Sequence, residues 1–257
     1  DYPDGLTTAY VYDANHNLEY VYDANEQMVV RNYYDSGDKV YKQTIGDGSY
    51  EFAYNDANNT AIITDREGFK TKIVYNGVGQ VLSRTIYTAD ANADPNSFTW
   101  QHVYNASEKR IRDIFPAGNC IDYTYDDLGN TTGIYRKTSP SDPNDPNNPN
   151  VIAAVYTYDP DFVYKVKTVR DPMGNVTTYD YNDLTGNLEK ITYPTVKTPD
   201  GNEMPIESFT YNGYGQRETI ITPDNMVIKY EYYNDANDAN NYEIGRAQSE
   251  LQSHLNL

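Results

Sequence analysis

Residues 123–134 read Tyr-Thr-Tyr-Asp-Asp-Leu-Gly-Asn-Thr-Thr-Gly-Ile, and the first half of that stretch decides the fold. Tyr123 and Tyr125 stand two apart, so in an extended chain they share one face of a strand. Asp126 follows where such a strand would end. Its short side chain carries acceptor oxygens that can take hydrogen bonds from backbone N–H groups two residues on and so begin a turn, and Gly129 can supply the positive φ that closes it. Strand, turn, strand is the implied order.

The signature recurs along the whole chain. Tyrosine is followed by Asp or Asn at Tyr12-Asp13, Tyr22-Asp23, Tyr34-Asp35, Tyr54-Asn55, Tyr75-Asn76, Tyr104-Asn105, Tyr125-Asp126, Tyr158-Asp159, Tyr181-Asn182, Tyr211-Asn212 and Tyr233-Asn234. A second ring often stands two positions earlier, as at Tyr10, Tyr20, Phe52, Tyr156, Tyr179 and Phe209, and Gly186 and Gly215 repeat the role of Gly129. Successive tyrosines are separated by 10, 12, 20, 21, 29, 21, 33, 23, 30 and 22 residues. The period is therefore about 21, a length that signals stacked structural repeats. The two short intervals are half a period, so the unit holds two similar halves, each one strand and one turn.

The three long intervals contain insertions at about residues 89–97, 139–150 and 194–205. Turn signals of a second kind mark the other end of each unit: Gly46-Asp47-Gly48, Asp65 to Gly68, Pro116 to Asn119, Asp171 to Gly174 and Pro199 to Asn202. The fold class that follows is all-β, a repetitive antiparallel hairpin meander of roughly 20 strands. An open twisted sheet rarely passes about 10 strands without curling, so an open spiralling strip is expected. Residues 1–245 form the repeat sheet in this reading. Residues 246–257 lack tyrosine and turn signals and fall outside it as a non-repeat tail, either disordered or a short helix on Leu251 and Leu255.

Composition agrees with a sheet and narrows the function. The 257 residues include 28 tyrosines, while only 38% are hydrophobic, so ring faces must supply much of the buried area. The net charge of -18 repels the phosphates of nucleic acids and anionic membrane surfaces, which makes both poor partners. No apolar run approaches the roughly 20 residues a membrane helix needs. Cys120 is alone, which excludes an intrachain disulfide and a cysteine zinc cluster. The chain begins at Asp1 with no signal-like apolar segment and reads as a piece of something longer.

The pattern resembles the YD repeats of bacterial rearrangement-hotspot (Rhs) proteins, of wall-associated toxins of Gram-positive bacteria, of the C components of insecticidal toxin complexes and of animal teneurins. The signature of that family is a glycine, then Tyr-x-Tyr-Asp-x-x-Gly-Asn or Gly-Arg, then Leu and Ile. Tyr123 to Ile134 matches it nearly position for position, Asp171 to Ile191 matches a full unit, and the resemblance extends over about residues 1–245. It implies a β-strip that forms part of a shell on a secreted or cell-surface protein, enclosing or presenting a toxin or other polypeptide, with adjacent repeats and that cargo as partners. Teneurin-like adhesion implies a different class, a module that binds carbohydrate or a receptor. The family's autoproteolytic plug, of the form Asp-Pro-x-Gly-Leu, has a partial counterpart at Asp171-Pro172-Met173-Gly174, but Asn175 and Val176 follow and an ordinary repeat turn is expected there.

Candidate chemistry is sparse. His16, His102 and His254 are far apart, and His102 occupies the slot of a ring two before the repeat tyrosine; no nucleophile elbow or metalloprotease motif is present, so no catalytic residue is assigned. A divergent hydrolase would have to draw on the 38 acidic residues, whose number alone makes pairs uninformative. Asp90, Asn92 and Asp94 alternate as in the opening of a calcium loop, although Pro95 and Gln101 replace its glycine and closing glutamate. Calcium is the one cofactor considered. The tyrosine rings could stack on sugars or simply form a packed sheet layer, and Trp100 is the candidate for an exposed ring.

Overall fold

The computed structural model describes residues 7–88, 96–199, 201–232 and 246–250. The chain divides into two compact units, residues 1–120 and 121–257. In the first unit the strands are β1 (Ala9–Tyr12), β2 (Leu18–Tyr22), β3 (Met28–Tyr34), β4 (Val40–Ile45), β5 (Gly48–Asn55), β6 (Thr60–Thr64), β7 (Lys70–Tyr75), β8 (Val81–Tyr87), β9 (Ser97–Tyr104) and β10 (Arg110–Ile114). Each pairs antiparallel with the next in sequence. The one helical turn among the described residues is a 3-10 turn at Asp56–Asn58.

The second unit opens with β11 (Cys120–Tyr125), whose first residue is the last of the first unit, and continues with β12 (Thr131–Lys137), β13 (Val151–Tyr158), β14 (Val166–Arg170), β15 (Val176–Tyr181) and β16 (Leu188–Thr192). A separate small hairpin of β17 (Val196–Thr198) and β18 (Gly201–Glu203) stands in the third insertion. The meander resumes with β19 (Ile206–Tyr211), which pairs with β16, then β20 (Arg217–Ile221), β21 (Val227–Glu231) and β22 (Arg246–Glu250). Two details differ from the sequence reading. The insertion at 194–205 builds its own hairpin rather than a plain loop, and the sheet runs past residue 245, because Arg246–Glu250 adds a strand alongside β21. Leu251, Leu255 and His254 lie outside the described residues. Among those residues no helix is long and apolar enough to cross a membrane.

Within each unit the meander has two margins. The upward strands of the repeat end at or beside their tyrosine: β1 at Tyr12, β3 at Tyr34, β7 at Tyr75, β9 at Tyr104, β11 at Tyr125, β13 at Tyr158, β15 at Tyr181 and β19 at Tyr211, while β5 ends one residue later at Asn55 and β21 at Glu231, one before Tyr232. This is the tyrosine margin; the opposite one is the far margin. Tyr22 is the exception, since it ends the returning strand β2 and its turn lies on the far margin. That placement explains the two half-period intervals: the first three signatures sit on alternate margins, and the later described ones on the tyrosine margin alone.

The turns form as the side chains dictate. At residues 13–17 the Asp13 N–H donates to the Asn17 carbonyl at 2.9 Å and the His16 N–H to the Asp13 carbonyl at 3.1 Å. The Asp13 carboxylate accepts from the Asn15 and Asn17 N–H groups, both at 2.9 Å. The fourth residue is left-handed, as in three-residue hairpin loops that finish in a bulge. Gly129 fills this position at φ 88°, but His16, Glu26, Asp38 and Glu108 hold φ between 58° and 66°, so the anchoring Asp or Asn is needed more than the glycine. Opposite each such tyrosine the returning strand bulges: Tyr75 faces Val81, with Leu82 extra, and Tyr181 faces Leu188, with Glu189 extra.

The core is thin. Most strand residues are half-buried, and among the described residues a cluster of buried side chains joins Tyr135, Val151 and Ala153, with Val155 against it. Register places Lys137 opposite Val151, Tyr135 opposite Ala153 and Gly133 opposite Val155, so these share one sheet face. Tyr156 and Tyr158 alternate to the other face. An added Cβ on Gly133 would lie 2.4 Å from the Tyr135 ring, which folds back over it.

Candidate functional site

Six of the repeat tyrosines share one recurring bond. The Tyr34 hydroxyl donates to the carbonyl of Leu18 at 2.8 Å, Tyr54 to Val40 at 2.9 Å, Tyr104 to Val81 at 3.2 Å, Tyr158 to Thr131 at 2.8 Å, Tyr181 to Val166 at 2.8 Å and Tyr211 to Leu188 at 2.8 Å. Each acceptor is the first or second residue of the preceding strand, next to the bulge that the earlier turn created. A strand that bulges leaves main-chain groups off the ladder, and an unpaired carbonyl costs free energy. The tyrosine of one repeat therefore completes the turn of the repeat before it. Tyr232 makes the same bond to Arg217 at 2.6 Å. The sequence signature pointed to Tyr233-Asn234, which lies outside the described residues, whereas Tyr232 stands two after Tyr230 and takes the repeat role.

The turns also touch side by side. The Asn17 amide donates to Asp38 at 2.8 Å, Lys39 pairs with Asp56 at 2.6 Å, and the Gln80 amide donates to the Glu108 carbonyl at 2.9 Å in the first unit. In the second, the Asn130 amide donates to the Val163 carbonyl at 2.8 Å and Lys165 donates to the Gly186 carbonyl while lying over the Phe162 and Tyr181 rings.

Protonation follows these contacts. The backbone N–H of Asn17 holds the Asp13 carboxyl below its ordinary value, and the N–H groups of Lys39 and Gly37 do the same for Asp35. The Asn130 side-chain amide lowers Asp126 and that of Asn175 lowers Asp171. Burial raises Tyr54, Tyr158 and Tyr181. In every case the charged form that is favoured is the turn anchor and the neutral form that is favoured is the hydroxyl donor.

The insertion at 139–150 is fastened to the opposite face. The Lys137 ammonium, its side chain 1% exposed, donates to Asp122 at 2.7 Å, to the Asp142 carbonyl at 2.8 Å and to the Asn144 side-chain oxygen at 3.1 Å. All three of its protons are used, as a buried ammonium requires. Arg170 donates to the Pro146 carbonyl at 3.4 Å and to Asn147 at 3.2 Å, so the insertion reaches from β11 to β14. A lone lysine in a charged chain gives no sequence signal for this role.

Other sequence candidates are dispersed. Asp90, Asn92 and Asp94 lie outside the described residues. His102 is half-buried and bonded to Asp113 at 2.6 Å, which also receives Arg110 at 3.1 Å. Trp100 is half-buried and faces Arg84 in register, so it is not the exposed ring expected; Tyr164 and Tyr214, at 72% and 78% exposure, are. Asp171-Pro172-Met173-Gly174 is a far-margin turn in which the Asp171 carboxylate accepts from the Met173 and Asn175 N–H groups at 2.8 and 2.9 Å. An open cleft of about 420 Å³ lies between Asn182, Asn187, Phe209 and Asn212, but Asn182 is engaged by Glu189 and Asn212 by Gln216 at 2.7 Å each.

Residues 165–203 match the family described as RHS Repeat. No curated protein matches the chain. Among solved structures the chain is similar to the crystal structure of TcdB2-TccC3-Cdc42, with a TM-score of 0.60, 14% identity and coverage of 88% of this chain and 12% of that one. A crystal structure of TcdB2-TccC3 without its hypervariable C-terminal region gives a TM-score of 0.61 at 14% identity and the same coverages. The chain thus spans about an eighth of the structures it resembles, and the likeness is one of fold.

Proposed function

We propose that this YD/RHS-repeat chain is a length of structural wall, part of a shell on an exported protein that encloses or presents another polypeptide. What carries the reading is the direction of the signature chemistry: the tyrosine hydroxyl is spent on the neighbouring repeat's backbone, as in Tyr181 to Val166 and Tyr211 to Leu188, and the Asp on the N–H groups of its own turn, as in Asp13 to Asn15 and Asn17, rather than aimed at a shared point where a reaction could occur. Such residues assemble a sheet; they do not attack, protonate or coordinate. The fold likeness to the TcdB2-TccC3 structures supports a toxin-complex shell as the setting. Electron cryo-microscopy of the full parent polypeptide tests it. Residues 9–232 should lie in the wall of a cavity that holds density for a second polypeptide segment; a freely projecting arm with no enclosed density would overturn it.

A further inference from the structure

We propose that the tyrosine margin of the second unit is a docking surface for a basic, polyproline-like polypeptide segment carrying an apolar side chain at every third position. Four successive turns there each expose a large apolar residue: Leu128 at 55%, Leu184 at 94% and Tyr214 at 78%, each third in its turn, and Tyr164 at 72%, just before the closing Lys165 of the longer 159–165 turn. The turns do not need them. Of the equivalent positions in the first unit, Asn15, Gly37 and Ser107 carry no apolar side chain while Val78 does, at 62% exposure, and what the turn uses is the backbone N–H, as when Leu184 and Tyr214 donate to Asn182 and Asn212 at 3.1 and 3.0 Å. Large apolar side chains exposed in a row along one margin mark an interaction surface.

Spacing and charge identify the occupant. Adjacent tips are two strands apart, or about 9.6 Å, since strands lie about 4.8 Å from one another. A polyproline helix advances about 9.3 Å per three-residue turn and presents every third residue on one side, whereas two turns of α-helix advance about 10.8 Å and drift out of step across the row. The row is held in line by the Asn130 to Val163 and Lys165 to Gly186 contacts. Across its four turns it carries the carboxylates of Asp126, Asp127, Asp161 and Asp183 against the single ammonium of Lys165, Asp159 being buried beside Lys167, so a cationic segment is favoured. The surface depends only on what the tips expose, and it stands whether or not the chain walls a shell.

The test is a fluorescence anisotropy titration of the 257-residue chain with a synthetic peptide of about twelve residues repeating Leu-Lys-Pro, four polyproline turns. The expected result is saturable binding that weakens with salt. Affinity should fall roughly tenfold or more, about 1.4 kcal/mol, when Leu128→Ser, Tyr164→Ser, Leu184→Ser and Tyr214→Ser are combined, and should be unchanged by Met173→Ser on the far margin. Circular dichroism confirms that the combined variant keeps its strands. Equal binding of a Leu-Glu-Pro peptide, tighter binding of a basic helix-forming peptide, or undiminished binding by the combined variant would each overturn the proposal. Self-association of the chain that the combined variant abolishes would assign the surface to a second copy instead, and would overturn it too.

Discussion

The hydroxyl of Tyr181 donates to the main-chain carbonyl of Val166 at 2.8 Å, joining the end of one repeat to the start of the strand before it. The bond is local in space and 15 residues long in sequence, so it ties the signature of one repeat to the turn of another.

Tyr181→Phe should remove this donor while leaving the ring in place. The expected loss is about 0.5–1.5 kcal/mol of unfolding free energy, the usual net worth of such a bond. Tyr211→Phe should cost a similar amount, and the two together should add, because their acceptors are separate. Equilibrium urea denaturation checks both; a loss near zero for each would show the carbonyls to be satisfied by water.

Gly133→Ala should destabilise by about 1–3 kcal/mol, the range for forcing extra volume into a packed site. The new methyl would meet the Tyr135 ring, which is 8% exposed and held against Val151 and Ala153. Adding Tyr135→Leu should recover part of the loss, and no recovery would mean the backbone of β12 rather than the ring is the obstacle.

Lys137→Met should cost about 3–5 kcal/mol, because Asp122 would be left buried without its cation. Combining it with Asp122→Leu should restore much of that stability. Hydrogen exchange should still accelerate across residues 139–150 in the double variant, since the carbonyl of Asp142 and the oxygen of Asn144 lose their donor.

Thermal stability should fall at both extremes of pH. Asp13, Asp35, Asp126 and Asp171 have folded values below the ordinary 3.8, so the stability they contribute is present above 3.8 and is lost as pH drops through the depressed values. Tyr54, Tyr158 and Tyr181 have folded values above 10.0, so their contribution is present below 10.0 and is lost as pH climbs through the raised ones. Melting curves across pH measure this. Asp126→Asn should blunt the acid limb while keeping the turn, because Asn76 and Asn212 already anchor equivalent turns without charge.

The strand ends and the turn anchors were legible in the sequence because Tyr-x-Tyr-Asp encodes both: alternation puts two rings on one face, and a short acceptor side chain stops the strand. Tyr181 and Asn182 are placed as that reading expects. Their partners were not legible. The acceptor of a repeat tyrosine is a backbone carbonyl, present at every residue, so no letter in the sequence announces Val166 or Leu188. The alternation of margins was visible only as two half-period spacings, and Tyr232 was masked by the adjacent Tyr-Asn pair. Lys137 could not be distinguished from solvated lysines until β11 and the insertion were seen around it, and the exposed tips were hidden because Leu128 and Tyr214 look like ordinary core letters.

Each of the three insertions leaves from the far margin of its own unit, after β8 in the first and after β12 and β16 in the second. The two margins are unequal as hosts for new sequence. A guest peptide spliced between Ala117 and Gly118 would extend a far-margin turn and leave every hydroxyl bond of the opposite margin intact. The same guest between Asp127 and Leu128 would pull apart the Asp126 turn and the Thr131 carbonyl that Tyr158 reaches. Each unit can acquire and discard surface loops along its far margin without disturbing the bonds that hold successive repeats together, which makes that margin the natural place for grafting.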